Sequence, residues 1–169
     1  MLIRGAIITD VTSTYTLRDA HPADIPKLVT YRVLMFEEMA RLAGQMNDAV
    51  IMDRMNRECN RIISAGFGAE HVGWVIEHEA CPVAGAMVWL QPWLTTPKYP
   101  DAVRAYLHSV YTDPAHRGQG LARRLTGHAL EWCKAHGLGW LLLHASEQGR
   151  PLYESLGFEH GNEWQKALT

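Results

Sequence analysis

The stretch Tyr111-Thr-Asp-Pro-Ala-His-Arg-Gly-Gln-Gly-Leu-Ala-Arg-Arg-Leu125 constrains the fold of this chain more than any other part of it. It follows a β-prone run, Tyr106-Leu-His-Ser-Val110, and Pro114 ends that run because proline has no N–H to give to a ladder. Beyond Gly118 and Gly120, the residues Leu121, Ala122, Leu125, Ala129, Trp132 and Cys133 recur at helical spacing. The reading is strand, short turn, helix, with both glycines at the helix start. Glycine there lets the backbone approach a ligand with no Cβ in the way. The first turn of a helix carries unpaired N–H groups and a partial positive charge, which suits phosphate oxygens. Arg123 and Arg124 sit in that turn, where the helix dipole mildly disfavours cations; a bound polyanion would reverse the sign.

Two common phosphate motifs fail on these residues. A P-loop needs a lysine followed by serine or threonine after its last glycine, and none follows here. A dinucleotide fingerprint needs glycine or alanine three residues after Gly120, where Arg123 stands. What remains is Arg117-x-x-Gly120-x-Ala122 on a strand, turn and helix. This resembles the pyrophosphate motif of the GNAT superfamily of acetyl-CoA-dependent N-acetyltransferases, Gln/Arg-x-x-Gly-x-Gly/Ala. A second motif follows about thirty residues on. Leu138-Gly-Trp-Leu-Leu-Leu-His144 is an apolar run of strand length, read as a centrally buried strand. Pro151 then fits the first turn of a short helix and Gly157 its C-terminal cap. The ending Tyr153-x-x-x-Gly157-Phe158 is similar to the closing helix and strand of the same superfamily, so the resemblance covers roughly residues 104–160.

Composition fits one globular domain over residues 1–169, with the order of segment 1–13 left open. A formal charge of −2 gives no electrostatic reason to expect nucleic acid or an anionic membrane as partner. Cys59, Cys81 and Cys133 are odd in number and unpaired in spacing, so they read as reduced thiols of a cytoplasmic protein. No apolar run approaches a membrane span, and Arg4 and Asp10 break the apolar start. The histidines lack metal-ligand spacing, so no metal is expected.

The elements read as a strand at Thr14–Arg18, a helix opened by His21–Asp24 and broken at Gly44, and a second helix from Asp48 to Ser64. A hairpin, Val72–Glu79 and Val83–Gln91, is expected around Cys81-Pro82. The strand Tyr106–Thr112, the helix Gln119–His136, the strand Leu138–His144, the helix Arg150–Leu156 and a last strand from Phe158 complete the order. The fold class is α/β, a mixed sheet flanked by helices on both faces, as in the GNAT fold.

The resemblance implies two neighbouring parallel strands that splay, with the pantetheine arm of acetyl-CoA in the gap. Val110, Tyr111 and Thr112 would line that arm, with the Val110 N–H beside the thioester carbonyl as an oxyanion donor. Main-chain groups of Arg117, Gly118, Gln119, Gly120, Leu121, Ala122 and Arg123 would cradle the pyrophosphate. Ser146 stands where many family members place an asparagine, and the resemblance implies a contact with the pantetheine that this shorter side chain has to reach for. Tyr153 would donate to the departing thiolate. Three routes for the amine proton are open: His108, taken by period-two alternation to share a face with Val110; His144 at the end of the next strand; or water. The acceptor is a primary amine, of a small molecule or a protein. Glu37, Glu38, Asp48, Asp53 and Glu58, with Trp89, Trp93 and Tyr99, offer a surface suited to a cation, against the plainer reading of a solvated acidic face and core aromatics. Other readings of the same residues are a non-catalytic acyl-CoA-binding sensor and a different nucleotide-binding protein. A homodimer through an exposed sheet edge is the expected assembly.

Overall fold

Four strands rich in apolar residues pair antiparallel in chain order, with two helices between the first and second, and one short parallel strand closes the sheet. The computed structural model describes residues 15–98, 100–161 and 166. The expectation about segment 1–13, and the proposed role of Tyr99, lie outside the described residues. Strands β1 (Tyr15–Asp19), β2 (His71–His78), β3 (Cys81–Pro92) and β4 (Val103–Thr112) pair antiparallel in that order, and β5 (Leu141–Leu142) joins β4 in parallel. Helices α1 (Ile25–Leu42), α2 (Ala49–Gly66), α3 (Leu121–Ala135) and α4 (Arg150–Ser155) complete the order. This is the mixed sheet with helices on both faces that the sequence implies.

Each face of the sheet buries its own core. On one side Leu121, Leu125, Ala129 and Cys133 of α3 pack on Trp74, Ile76, Ala84, Ala86, Val88 and Leu107. Each buried leucine there contributes about 1.5–3 kcal/mol relative to exposure. On the other side Leu28, Val29 and Tyr31 of α1 pack on Val75, Met87 and Tyr111. Tyr31 is fully buried, and its hydroxyl lies 2.8 Å from the Pro82 carbonyl and 3.2 Å from Asp113. Arg18 on β1 pins the entry to α1 through Asp24 at 2.7 Å and reaches Glu77 on β2 at 2.7 Å. The buried Asp24 also accepts the His21 N–H at 2.7 Å, and its carboxyl is held below the usual range chiefly by the Arg18 hydrogen bond.

Three expectations need correction. The hairpin turns at Glu79 and Ala80, both at positive φ (51° and 61°), and not around Cys81-Pro82. Cys81 already pairs with His78, and Pro82 sits in β3 beside a bulge, where its missing N–H is tolerated. The strand expected over Leu138–His144 pairs at only two positions, and among the described residues it is a sheet edge and not a central strand. No strand begins at Phe158 within 158–161, because the Phe158 N–H bonds the Tyr153 carbonyl at 3.0 Å and closes the end of α4. Gly157 is the cap residue there, at φ 83°, as the sequence indicates.

Candidate active site

β4 is the axis of the site, and a one-residue insertion sets its geometry. His108 pairs with Met87 and Tyr111 with Gly85, so Ser109 and Val110 together oppose Ala86. Ser109 takes φ 55° and is buried. This bulge breaks the alternation of side chains. Leu107 and Val110 both pack toward α3, whereas His108 and Tyr111 lie on the α1 side. His108 therefore does not share a face with Val110, because period-two counting assumes an uninterrupted ladder.

The same strand carries the splay. β4 and β5 pair only at Ala105–Leu141 and Tyr106–Leu142. From Leu107 to Thr112 that edge has no strand partner among the described residues. Val110 and Thr112 both lie on the unpaired stretch, with main-chain groups that an extended ligand could satisfy. Tyr111 can contribute only its main chain, since its ring packs on Tyr31 at 5.3 Å within the core.

Beyond β4, Pro114–His116 form a 3-10 turn and the chain enters the glycine loop. Gly118 and Gly120 take φ 76° and 72°, and a Cβ at either would meet no protein atom within 4 Å. The glycines are thus required by conformation, and the space before them is open. The first bond of α3 runs from Arg124 N–H to the Gly120 carbonyl at 3.0 Å. The N–H groups of Gly118, Gln119, Gly120, Leu121, Ala122 and Arg123 have no main-chain acceptor among the described residues. Orphaned donors around an open cradle fit a pyrophosphate, and the unpaired β4 edge leading to them fits an extended arm.

The side chains around the cradle are largely engaged elsewhere. Arg117 spends its N–H on the Pro114 carbonyl at 3.4 Å and its guanidinium on Glu38 and the Thr112 carbonyl. The side chain thereby ties the loop to α1 and to the end of β4, and the main-chain N–H is turned toward the Pro114 carbonyl. Arg123 reaches Ser155 Oγ on α4 at 2.5 Å, and Arg124 reaches the Tyr15 carbonyl at 3.3 Å. Ser146 Oγ accepts the Gly149 N–H at 3.1 Å as a local cap before α4, which leaves its own O–H to donate.

Tyr153 projects from α4 against the α3-side core and packs edge-on to Phe158. Its hydroxyl has no hydrogen-bond partner among the described residues, so it is not the satisfied core tyrosine of the plainer reading. Burial, and then the neighbouring Tyr106, raise its pKa, which keeps the proton on the oxygen. His108 is a poor proton acceptor. Burial first, then Arg32 and His71, push its pKa down to about 3, and its Nε2 is inaccessible with no partner. Its Nδ1 lies 2.9 Å from Ser109 Oγ. His144 is exposed, and its Nδ1 lies 2.6 Å from the Tyr106 hydroxyl.

The acidic surface is reduced by the structure. Asp48 caps α2 through the N–H groups of Val50 and Ile51, Asp53 pairs with Arg57, Glu58 with Arg61 and Glu38 with Arg117. Glu37 alone among these carboxylates has no partner among the described residues. It lines a groove of about 620 Å3 between α1 and α2, with Val33, Arg41, Met46, Asn47 and Asp53. Trp89 stacks on His71 at 5.4 Å, and Trp93 lies under Arg104. Sequence reasoning missed the Glu38–Arg117 and Tyr106–His144 pairs, whose partners lie 79 and 38 residues apart. Among the described residues, no three of His, Cys, Asp and Glu are grouped to hold a metal, and no helix is long and apolar enough to cross a membrane.

Known proteins share this fold. A structure of a GCN5-related N-acetyltransferase from Ralstonia eutropha JMP134 is 26% identical, with a TM-score of 0.79 over 91% of this chain and 98% of that one. A predicted acetyltransferase from Clostridium acetobutylicum, solved with acetyl-CoA, has the same fold at 24% identity and a TM-score of 0.76, over 91% and 96% of the two chains. Glucosamine 6-phosphate N-acetyltransferase of Trypanosoma brucei brucei is 33% identical over 76 residues, 44% of this chain and 52% of that protein. The chain spans about half or less of the length of the curated relatives it matches. The family model described as Acetyltransferase (GNAT) family matches residues 36–158, and with motif, splay and fold in agreement the chain belongs to that family.

Proposed function

We propose that this protein transfers an acetyl group from acetyl-CoA to a primary amine by direct attack in a ternary complex. The observation that carries the reading is the row of orphaned N–H groups from Gly118 to Arg123, at the end of a strand whose facing edge is unpaired. Those donors would hold the pyrophosphate, and the edge from Leu107 to Thr112 would hold the pantetheine. When bound, acetyl-CoA supplies the activated thioester. Val110 supplies a main-chain donor beside it, and Tyr153 an O–H for the leaving sulfur.

The acceptor in this reading is a small polar amine, in keeping with the relative that acts on glucosamine 6-phosphate. Glu37, without a partner among the described residues and lining the α1–α2 groove, is the carboxylate available to attract it. Activity in the cytoplasm, as a homodimer paired through a sheet edge, remains part of the proposal.

A thermal-shift titration with acetyl-CoA, CoA, ATP and NADH side by side tests the cofactor. The expected result is a dose-dependent rise with the CoA species alone. A larger shift with another nucleotide would overturn it. CoA release over an amine panel that includes glucosamine 6-phosphate then tests catalysis. Binding without release across that panel would indicate an acyl-CoA sensor.

A further inference from the structure

Where the two parallel strands part, a side-chain hydrogen bond runs from β4 to the segment just after β5. Tyr106 is the last β4 residue paired with β5, opposite Leu142, and His144 lies two residues beyond Leu142. The Tyr106 hydroxyl and His144 Nδ1 are 2.6 Å apart, with ring centroids at 5.5 Å. Tyr106 also lies near enough to Tyr153 to raise its pKa, so three proton-handling side chains converge at the mouth of the splay. Among the described residues, the ionisable groups near the imidazole include Tyr106 and, behind it, His108 on β4, with Tyr153 on α4; His71 and Arg32 lie beyond His108.

We propose that His144 is the base that takes the proton of the acceptor amine, and that Tyr106 is a positioning residue fixing its tautomer. This rests on the acetyltransferase reading above. The Nδ1–H donates to the Tyr106 oxygen, which leaves the lone pair on Nε2. His144 Nε2 then receives the amine proton as the C–N bond forms and the C–S bond of the thioester breaks. Tyr153 gives its hydroxyl proton to the departing sulfur and regains one from solvent, while the His144 imidazolium releases its proton to solvent. Protons balance, and no oxidant or further reactant is needed.

Two features set this pair apart from the alternatives. His108 is shut away from solvent at Nε2 and already engaged at Nδ1, so it cannot exchange a proton with a substrate. His144 is exposed and lies two residues beyond β5, on the segment that leaves β4 where the pairing stops. The Tyr106 oxygen also stabilises the imidazolium once formed, because it accepts from a charged N–H.

The test uses the full chain, with two readouts. In long-range 1H–15N spectra of the protein without ligand, His144 should carry its proton on Nδ1, and Tyr106→Phe should shift it toward Nε2. In the pH dependence of kcat/KM, with whichever amine of the panel turns over, His144→Gln should lower the rate about 100-fold and remove an acid-side ionisation. Tyr106→Phe should lower kcat about tenfold with the acceptor KM little changed, since the imidazole keeps its base but loses the contact that fixes its tautomer. An unchanged thermal shift with acetyl-CoA would show that both variants keep the fold and the cofactor site. An Nε2–H tautomer in the wild type, or full activity of His144→Gln, would overturn the proposal. A wild type that binds CoA yet turns over no amine would instead sink the acetyltransferase reading, while the tautomer would still be read.

Discussion

The guanidinium of Arg117 grips the carboxylate of Glu38 through two N–H donors, both at 2.6 Å. The same side chain donates its Nε–H to the Thr112 carbonyl at 3.0 Å and lies over the Tyr111 ring at 5.4 Å. One arginine thus joins α1, the end of β4 and the glycine loop. Bidentate pairs of this kind are stronger and more directional than a lysine contact.

Glu38→Gln should therefore weaken acetyl-CoA and leave the amine largely unaffected. A five- to tenfold rise in the acetyl-CoA KM, roughly 1–1.4 kcal/mol, is expected from loss of a charged hydrogen-bond pair at this partly exposed site. Glu37→Gln should do the converse and raise the amine KM by up to about fivefold. Steady-state kinetics with each substrate varied in turn separates the two; equal effects on both constants would contradict the split.

Tyr153→Phe should lower kcat about 100-fold with little change in acetyl-CoA affinity, because only the proton donor is removed. Calorimetric titration of acetyl-CoA and initial rates check both halves. Unchanged turnover would take the tyrosine out of the mechanism.

Gly120→Ala tests conformation in the loop. A Cβ there meets no protein atom within 4 Å, but φ 72° costs an L-residue about 1–2 kcal/mol. The expected outcome is a small fall in Tm and a fall of tenfold or more in acetyl-CoA affinity, as the loop relaxes away from the cradle. Preserved affinity would show that the backbone there is not needed in its present form.

The β2–β3 turn offers a stabilising change. Glu79 and Ala80 both hold positive φ in a two-residue hairpin loop, the place where Asn-Gly is preferred. Replacing Glu79-Ala80 with Asn-Gly should add about 1–2 kcal/mol of stability, raising Tm by several degrees in a thermal melt.

Acid should weaken the fold in a defined window. Asp24 and Glu38 are both held below the ordinary carboxylate range, chiefly by hydrogen bonds from Arg18 and Arg117. A depressed folded pKa means that the stabilisation is complete above the unfolded values. It is lost as pH falls from about 4 through the lower folded values. Urea midpoints measured from pH 7 to pH 3 should fall steeply below about pH 4.5, and less steeply in Asp24→Asn, which starts from a lower stability at pH 7.

Much of the fold was legible because local patterns carried it. The spacing from Leu121 to Cys133 sits on the buried face of α3, Asp48 caps α2, and Gly157 caps α4. The glycine loop was equally plain, because its two positive-φ positions are both glycine. The hairpin turn was misplaced because Pro82 gives a strong turn signal, while Glu79 and Ala80 carry none. The length of β5 was unreadable, since an apolar run shows burial and not how far a neighbour will pair with it. The Ser109 bulge left no mark in Leu107-His-Ser-Val110, so the face assigned to His108 was wrong. The partners of Arg117 and His144 arise from tertiary contacts that no local pattern records.

That bulge also has a consequence for how the chain can change. From Val103 to His108 the strand obeys one inward–outward phase, and from Val110 to Thr112 it obeys the opposite one. Removing a single residue between them would restore an even ladder and turn the end of the strand over. Tyr111 would then leave the α1 core, and the chain entering the glycine loop would do so with its faces exchanged. Along this strand substitutions are a matter of degree, but a one-residue deletion is a change of side.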